Sequence, residues 1–157
     1  MSIVICGFSG IGKSSAAKSL ASKNRWVFDF ESSEYSHNSD GSFNDAFPGN
    51  YIDALEESIT HVKGDYYFLS CHQSVRDELT KRGIKYIIVM PRKEDRNEYL
   101  KRWLKRGSSV EFISNMNAHW YDMIDSCIED YAPTIVLDEH EYLSDVLKSY
   151  ERKRLNS

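Results

Sequence analysis

The chain has 157 residues, 41% of them apolar and 13% aromatic, and a formal net charge of −4. That length fits one domain with one core, and the apolar share is that of a folded chain. The acidic balance argues against duplex DNA or an anionic membrane surface as the main partner, since both select a basic face.

Met1-Ser2 carries no charged leader and passes straight into Ile3-Val4-Ile5-Cys6, which reads as a buried strand. No apolar run reaches membrane length, so a cytoplasmic protein with no membrane partner is expected. Next comes Gly7-Phe8-Ser9-Gly10-Ile11-Gly12-Lys13-Ser14, the spacing GxxxxGK[ST], and then the helix-like Ser15-Ala16-Ala17-Lys18-Ser19-Leu20-Ala21. Strand, glycine-rich loop and helix in that order mark a phosphate-binding loop. The glycines permit backbone conformations in which several N–H groups converge, and the helix adds its positive end. Gly7, Ser9, Gly10, Ile11, Gly12, Lys13, Ser14 and Ser15 are therefore expected to cradle a nucleoside triphosphate, ATP. Lys13 is placed to reach its terminal phosphates, and the Ser14 hydroxyl to ligate the accompanying Mg²⁺.

Arg25 to Phe30 reads as a second strand with Asp29 at its carboxyl edge, where open α/β sheets place their ligands. Asp29 and Glu31 alternate along the chain, so both carboxylates face one side. Glu31 to Ser42 is polar and rich in turn formers, an exposed and mobile connection. After the turn Phe47-Pro48-Gly49, Asn50 is the expected N-cap of a helix from Tyr51 to His61, with Ile52, Leu55 and Ile59 on one face. Asp65 to Ser70 is the third strand, and Cys71-His72-Gln73 leads into a helix from Ser74 to Lys81 that stops at Gly83. Lys85 to Met90 is the fourth strand, halted by Pro91. A charged helix from Lys93 to Lys105 turns Tyr99 and Trp103 inward, and Gly107-Ser108-Ser109 breaks it. Val110 to Asp130 reads as one long amphipathic helix, because Ile113, Met116, Trp120, Ile124 and Cys127 recur at three- and four-residue steps; that stripe reads as core. Pro133 to Leu137 is a fifth strand and Tyr142 to Arg154 a last helix. Strands alternating with helices predict a parallel sheet covered on both faces, in a single domain over residues 1–157.

Several residues carry chemistry beyond the loop. The chain has no NKxD segment for reading guanine and is too short for most motor ATPases, which leaves a kinase as the natural user of the triphosphate. Arg102 and Arg106 lie four residues apart on one helical face before Gly107, where a short lid would bring guanidinium groups to the transferring phosphoryl group. The aspartate that often ends the third strand is absent, since Ser70 stands there. Asp29 takes its place as the residue that holds a magnesium water, orients the acceptor hydroxyl or acts as its base. Glu31, Ser32, Ser33, Ser70, His72 and Arg76 complete the expected acceptor site with Asp29. His37, His61, His119 and His140 show no metal spacing. Cys6, Cys71 and Cys127 form no metal pattern and read as reduced thiols in or near the core.

The loop, Asp29-Phe30-Glu31-Ser32-Ser33, Phe47-Pro48-Gly49-Asn50-Tyr51, Ser70-Cys71-His72 with Arg76, and Glu98-Tyr99 with Arg102, Arg106 and Gly107 together resemble the small P-loop kinases. The group in question holds the nucleoside monophosphate kinases and the gluconate/shikimate kinases, and the likeness is strongest to short kinase-like proteins of bacterial viruses. The resemblance implies a P-loop NTPase three-layer sandwich with a five-stranded parallel sheet in order 2-3-1-4-5. It also implies ATP at the loop, an acceptor flap over residues 31–62 and an arginine lid over residues 92–109. The activity it implies is ATP- and Mg²⁺-dependent phosphoryl transfer to a small-molecule acceptor, foremost a (deoxy)nucleoside monophosphate, by a monomer or homodimer. The flap departs from the monophosphate-kinase pattern in having no Arg or Lys. Either Arg76 substitutes, or the acceptor is a neutral hydroxyl compound such as a nucleoside, a sugar acid's hydroxyl or hydroxymethyluracil in DNA, the one reading that brings in nucleic acid. A regulator that binds nucleotide without transfer is the reading from another functional class.

Overall fold

The computed structural model describes residues 1–155; Asn156 and Ser157, the end of the expected single unit, lie outside the described residues. The first apolar run forms β1 (Ile3–Gly7), and its last four residues are buried because strands flank both of its edges. β2 (Val27–Asp29), β3 (Tyr66–Ser70), β4 (Ile87–Pro91) and β5 (Thr134–Leu137) complete a sheet of order β2-β3-β1-β4-β5, parallel throughout. Order and direction are those implied by the resemblance. The near-continuous apolar character of Tyr66-Tyr67-Phe68-Leu69, all fully buried, follows from a parallel strand covered on both faces. Its two tyrosine hydroxyls are paired inside: Tyr66 donates to Glu151, and Tyr67 accepts the Gly64 N–H at 2.9 Å.

The helices around the sheet are α1 (Lys13–Ala21), α2 (Ser33–Ser36), α3 (Gly49–His61), α4 (Gln73–Lys81), α5 (Arg96–Lys105), α6 (Val110–Ala118), α7 (Trp120–Ile128) and α8 (Leu143–Leu155). Four expectations need correction. The long helix expected from Val110 to Asp130 is two, broken at His119 (φ −104°, ψ 12°). The break accompanies a tertiary tie, since the Trp120 indole N–H donates to the Lys93 carbonyl at 2.9 Å and the ring joins Phe8, Tyr99 and Trp103. Asn50 does not cap α3, which begins at Gly49; its amide donates instead to the Tyr35 carbonyl at 2.9 Å. Pro91 lies within β4, opposite Leu137, where a missing N–H is tolerated at a strand end. The connection after β2 is not a featureless loop. It holds α2 and a bridge between His37 and Phe43, and Ser32 and Ser36 are buried in it. Phe30, Tyr35, Phe47 and Tyr51 pack as a run of tilted rings beneath it, with centroids 5.2–6.5 Å apart.

The order 2-3-1 on one side and 1-4-5 on the other reverses direction at β1. Ligands in open α/β sheets bind outside the carboxyl ends of the strands at such a point. There the register sets Gly7 beside Ser70 and Val89, with Asp29 beside Phe68 one strand further out. Among the described residues, no helix is long and apolar enough to cross a membrane.

Candidate active site

The loop between β1 and α1 is shaped by two left-handed glycines, Gly10 (φ 95°) and Gly12 (φ 89°). A Cβ at Gly10 would stand 3.0 Å from the Trp103 indole nitrogen, and one at Gly12 would stand 3.0 Å from the Tyr142 ring, so neither position has room for a side chain. The loop is braced from the aromatic cluster: the Trp103 N–H donates to the Ser9 carbonyl at 3.3 Å, and Phe8 meets the rings of Tyr99 and Trp120 edge on. Ile11 differs from its neighbours in the loop. Its side chain is fully buried in the core, its carbonyl accepts the Leu143 N–H at 2.9 Å and its own N–H donates to the Phe8 carbonyl at 3.3 Å, so it holds the shape of the loop.

Helix α1 starts at Lys13, which places Ser14 and Ser15 in its first turn. Ser14 Oγ donates to Asp29 Oδ2 at 3.0 Å, which joins the hydroxyl at the head of α1 to the carboxylate at the end of β2. Lys13 Nζ donates to the Gly7 carbonyl at 3.0 Å. Enclosure by the loop pushes the Lys13 ammonium below its usual value, and the Asp29 carboxylate opposes that shift.

Gly7, Ser9, Gly10, Gly12, Lys13, Ser14 and Ser15 line a cleft of about 1000 Å³, together with Asp29, Glu31, Ser32, Ser70, His72, Arg76, Arg102 and Arg106. That volume is at the upper end for small-molecule pockets. Of the residues expected in the site, Ile11 and Ser33 stand outside this wall; the Ser33 hydroxyl turns to Glu31 at 3.5 Å. The cleft also takes in Gln73, Lys105, Phe112, Met116, Asp122, Met123, Ser126 and Cys127, none of which the sequence pattern assigns to a site. The stripe on the α6 and α7 segment is core, as its period implies, but Met116 and Cys127 of that stripe, with Met123 beside it, also line the cleft, and periodicity does not distinguish a face that meets core from one that meets a cleft.

The arginines divide into braces and reachable groups. Arg76 is 3% exposed, and every one of its nitrogens is engaged: Nε with the Cys71 carbonyl, Nη1 with Asp130 at 2.7 Å and the Ser126 carbonyl, and Nη2 with Ser126 Oγ at 2.6 Å. Arg102 lies between the rings of Tyr99 and Tyr142, 4.4 and 3.8 Å from their centroids, and donates to the carbonyls of Gly10 and Glu141, both at 3.0 Å. It thereby ties the loop to the segment before α8. Arg106 is exposed and lighter in its commitments, with Nη2 on Ser9 Oγ at 2.8 Å and Nε on Ser108. His72 keeps an exposed edge, with Nδ1 3.0 Å from Ser70 Oγ. The protein around it, followed by Lys13 and Arg76, pushes its imidazole below the usual value and favours the neutral ring.

The residues present suit Mg²⁺ bound with a nucleotide. One hydroxyl and one carboxylate supply two oxygen positions, and this ion normally completes its shell with phosphate oxygens and water. Among the described residues, no cluster of three or more His, Cys, Asp or Glu forms an all-protein metal cage.

No family model matches the chain, and no curated protein matches it. Among solved structures, an uncharacterized protein from Eubacterium ventriosum ATCC 27560 aligns with 99% of this chain and 99% of its own, at 16% identity and a TM-score of 0.49. TT1252 from Thermus thermophilus aligns over 99% and 97% with the same identity and score. At those values neither likeness bears on function.

Proposed function

We propose that the chain is an ATP- and Mg²⁺-dependent phosphotransferase. The observation that carries this reading is the 3.0 Å contact of Ser14 Oγ with Asp29 Oδ2 beside Lys13, in a loop of left-handed glycines at the switch point of a parallel sheet. Bound Mg²⁺ would neutralise charge on the phosphates, with Ser14 as direct ligand and Asp29 through water. The remaining work falls to the chain. Loop N–H groups and Lys13 hold the phosphates, and Arg106 supplies positive charge where it builds up on the transferring group. The acceptor oxygen forms a bond to the γ-phosphorus as the bond to the β–γ bridging oxygen breaks; the acceptor's proton passes to the Asp29 carboxylate, and the nucleoside diphosphate leaves.

On the acceptor, the geometry favours an uncharged hydroxyl compound. The flap has no Arg or Lys, Arg76 has no nitrogen to spare, and Glu31 and Asp122 add negative charge to that part of the cleft. Phe112, Met116 and Met123 offer an apolar wall for a ring. A nucleoside monophosphate is the second reading, supported by Lys105, an exposed cation on the cleft wall.

A panel of γ-labelled ATP with nucleosides, sugar acids, nucleoside monophosphates and single-stranded DNA containing hydroxymethyluracil tests both readings. Label transfer to an uncharged hydroxyl supports the first, and transfer to monophosphates alone the second. ATP binding without transfer to any acceptor would make the chain a nucleotide-binding regulator.

A further inference from the structure

Cys71 and Cys127 bring their sulfurs to 3.3 Å of each other although 56 residues separate them in sequence. Cys71 directly follows β3, and Cys127 lies in the last turn of α7, so the two thiols span two walls of the cleft. One guanidinium holds both segments. Arg76 Nε donates to the Cys71 carbonyl at 3.1 Å, while Nη1 and Nη2 donate to the carbonyl and hydroxyl of Ser126, the residue before Cys127, at 3.2 and 2.6 Å. Asp130 fixes the arginine in turn. The backbone on either side of the sulfur contact is therefore held, which keeps the two thiols against each other.

Both residues line an open cleft that a small oxidant can enter; Cys71 is partly exposed to it and Cys127 is buried directly behind. Cys6 differs: it is fully buried in β1, outside the cleft wall, and burial pushes its thiol up into an unreactive range.

We propose that Cys71 and Cys127 form an oxidisable dithiol site that closes to an intrachain disulfide under hydrogen peroxide. One sulfur of the pair, as its thiolate, attacks one peroxide oxygen, the O–O bond breaks, and the product is a sulfenic acid and, after protonation of the leaving hydroxide, water. The other sulfur then displaces the sulfenic hydroxyl, which leaves as a second water with that thiol's proton. Two thiols lose two electrons and two protons, and peroxide takes up both pairs. The Cys71 S–H contact holds the Cys127 thiol below its usual value against the effect of burial, with help from Arg76, which favours a thiolate within the pair. The bond ties the end of β3, next to His72, to α7. A disulfide of this kind in a reducing compartment is transient, a record of oxidant exposure. The proposal does not rest on the phosphotransferase reading.

The test treats the intact chain with hydrogen peroxide, counts thiols after denaturation and maps protease fragments without reductant. The count is expected to fall from three to one, with one fragment pair linking Cys71 to Cys127, two hydrogens lighter and released by dithiothreitol. Cys71→Ser should abolish the linked pair. Three surviving thiols at a dose that oxidises free cysteine, a linked pair containing Cys6, or a bond between chains would each overturn the proposal.

Discussion

Ser14 Oγ donates to Asp29 Oδ2 at 3.0 Å, which couples the first turn of the helix after the loop to the tip of a strand two positions away in the sheet. The contact places a carboxylate at the cleft, whereas β3 ends in Ser70, an uncharged hydroxyl. In the phosphotransferase reading, Asp29 both orients the metal's water and takes the acceptor proton. Asp29→Asn keeps the size and the hydrogen bond but removes the charge, so transfer should fall about 100-fold or more. Asp29 is exposed, so the melting temperature should barely move. Steady-state transfer with a coupled assay for released diphosphate checks this, and an unchanged rate would remove Asp29 from the chemistry.

Arg76 and Asp130 form an ion pair at 2.7 Å with side chains 3% and 8% exposed. Removing one partner of a buried pair leaves an uncompensated charge, so Arg76→Ala should destabilise the fold by about 3–5 kcal/mol. Urea unfolding measures it. A loss below about 1 kcal/mol would be that of an exposed pair and would free Arg76 for a ligand.

His72 gives a pH signature. Its imidazole sits below the usual value because of the protein around it, then Lys13 and Arg76. As pH falls through about 6.5 the unfolded chain takes up this proton before the folded one does. Stability from the neutral ring is therefore present above that pH and declines below it, until the folded imidazole also protonates. An NMR titration, with the resonance assigned by its absence in His72→Gln, should show a midpoint below 6.5 that rises in Lys13→Ala. A midpoint at the ordinary value in both chains would contradict the arrangement.

The parts of this molecule legible in its sequence are those encoded locally. GxxxxGK[ST] between an apolar run and a helix places Gly10, Gly12, Lys13 and Ser14 with no knowledge of the rest, and alternating elements suffice for a parallel sheet. Features set by distant partners were not legible. The break at His119 contains neither Gly nor Pro and goes with the Trp120 indole reaching Lys93. Arg76 looked available for a phosphate because its partner Asp130 lies 54 residues on. Asn50 had the right chemistry for a cap, but Tyr35 offered its amide a tertiary acceptor. Met123 and Asp122 gave no signal at all, because a helix pattern carries no mark of the cleft it faces.

The most direct test of the central claim is calorimetric titration of MgATP into the wild-type chain and into Lys13→Ala. Loss of a charge-assisted contact to phosphate is worth about 1.5–3 kcal/mol, so the variant should bind roughly ten- to a hundredfold more weakly, with its circular dichroism unchanged. Equal affinity in the two chains, or no MgATP binding by the wild type, would contradict the placement of a triphosphate at the Gly7 to Ser14 loop.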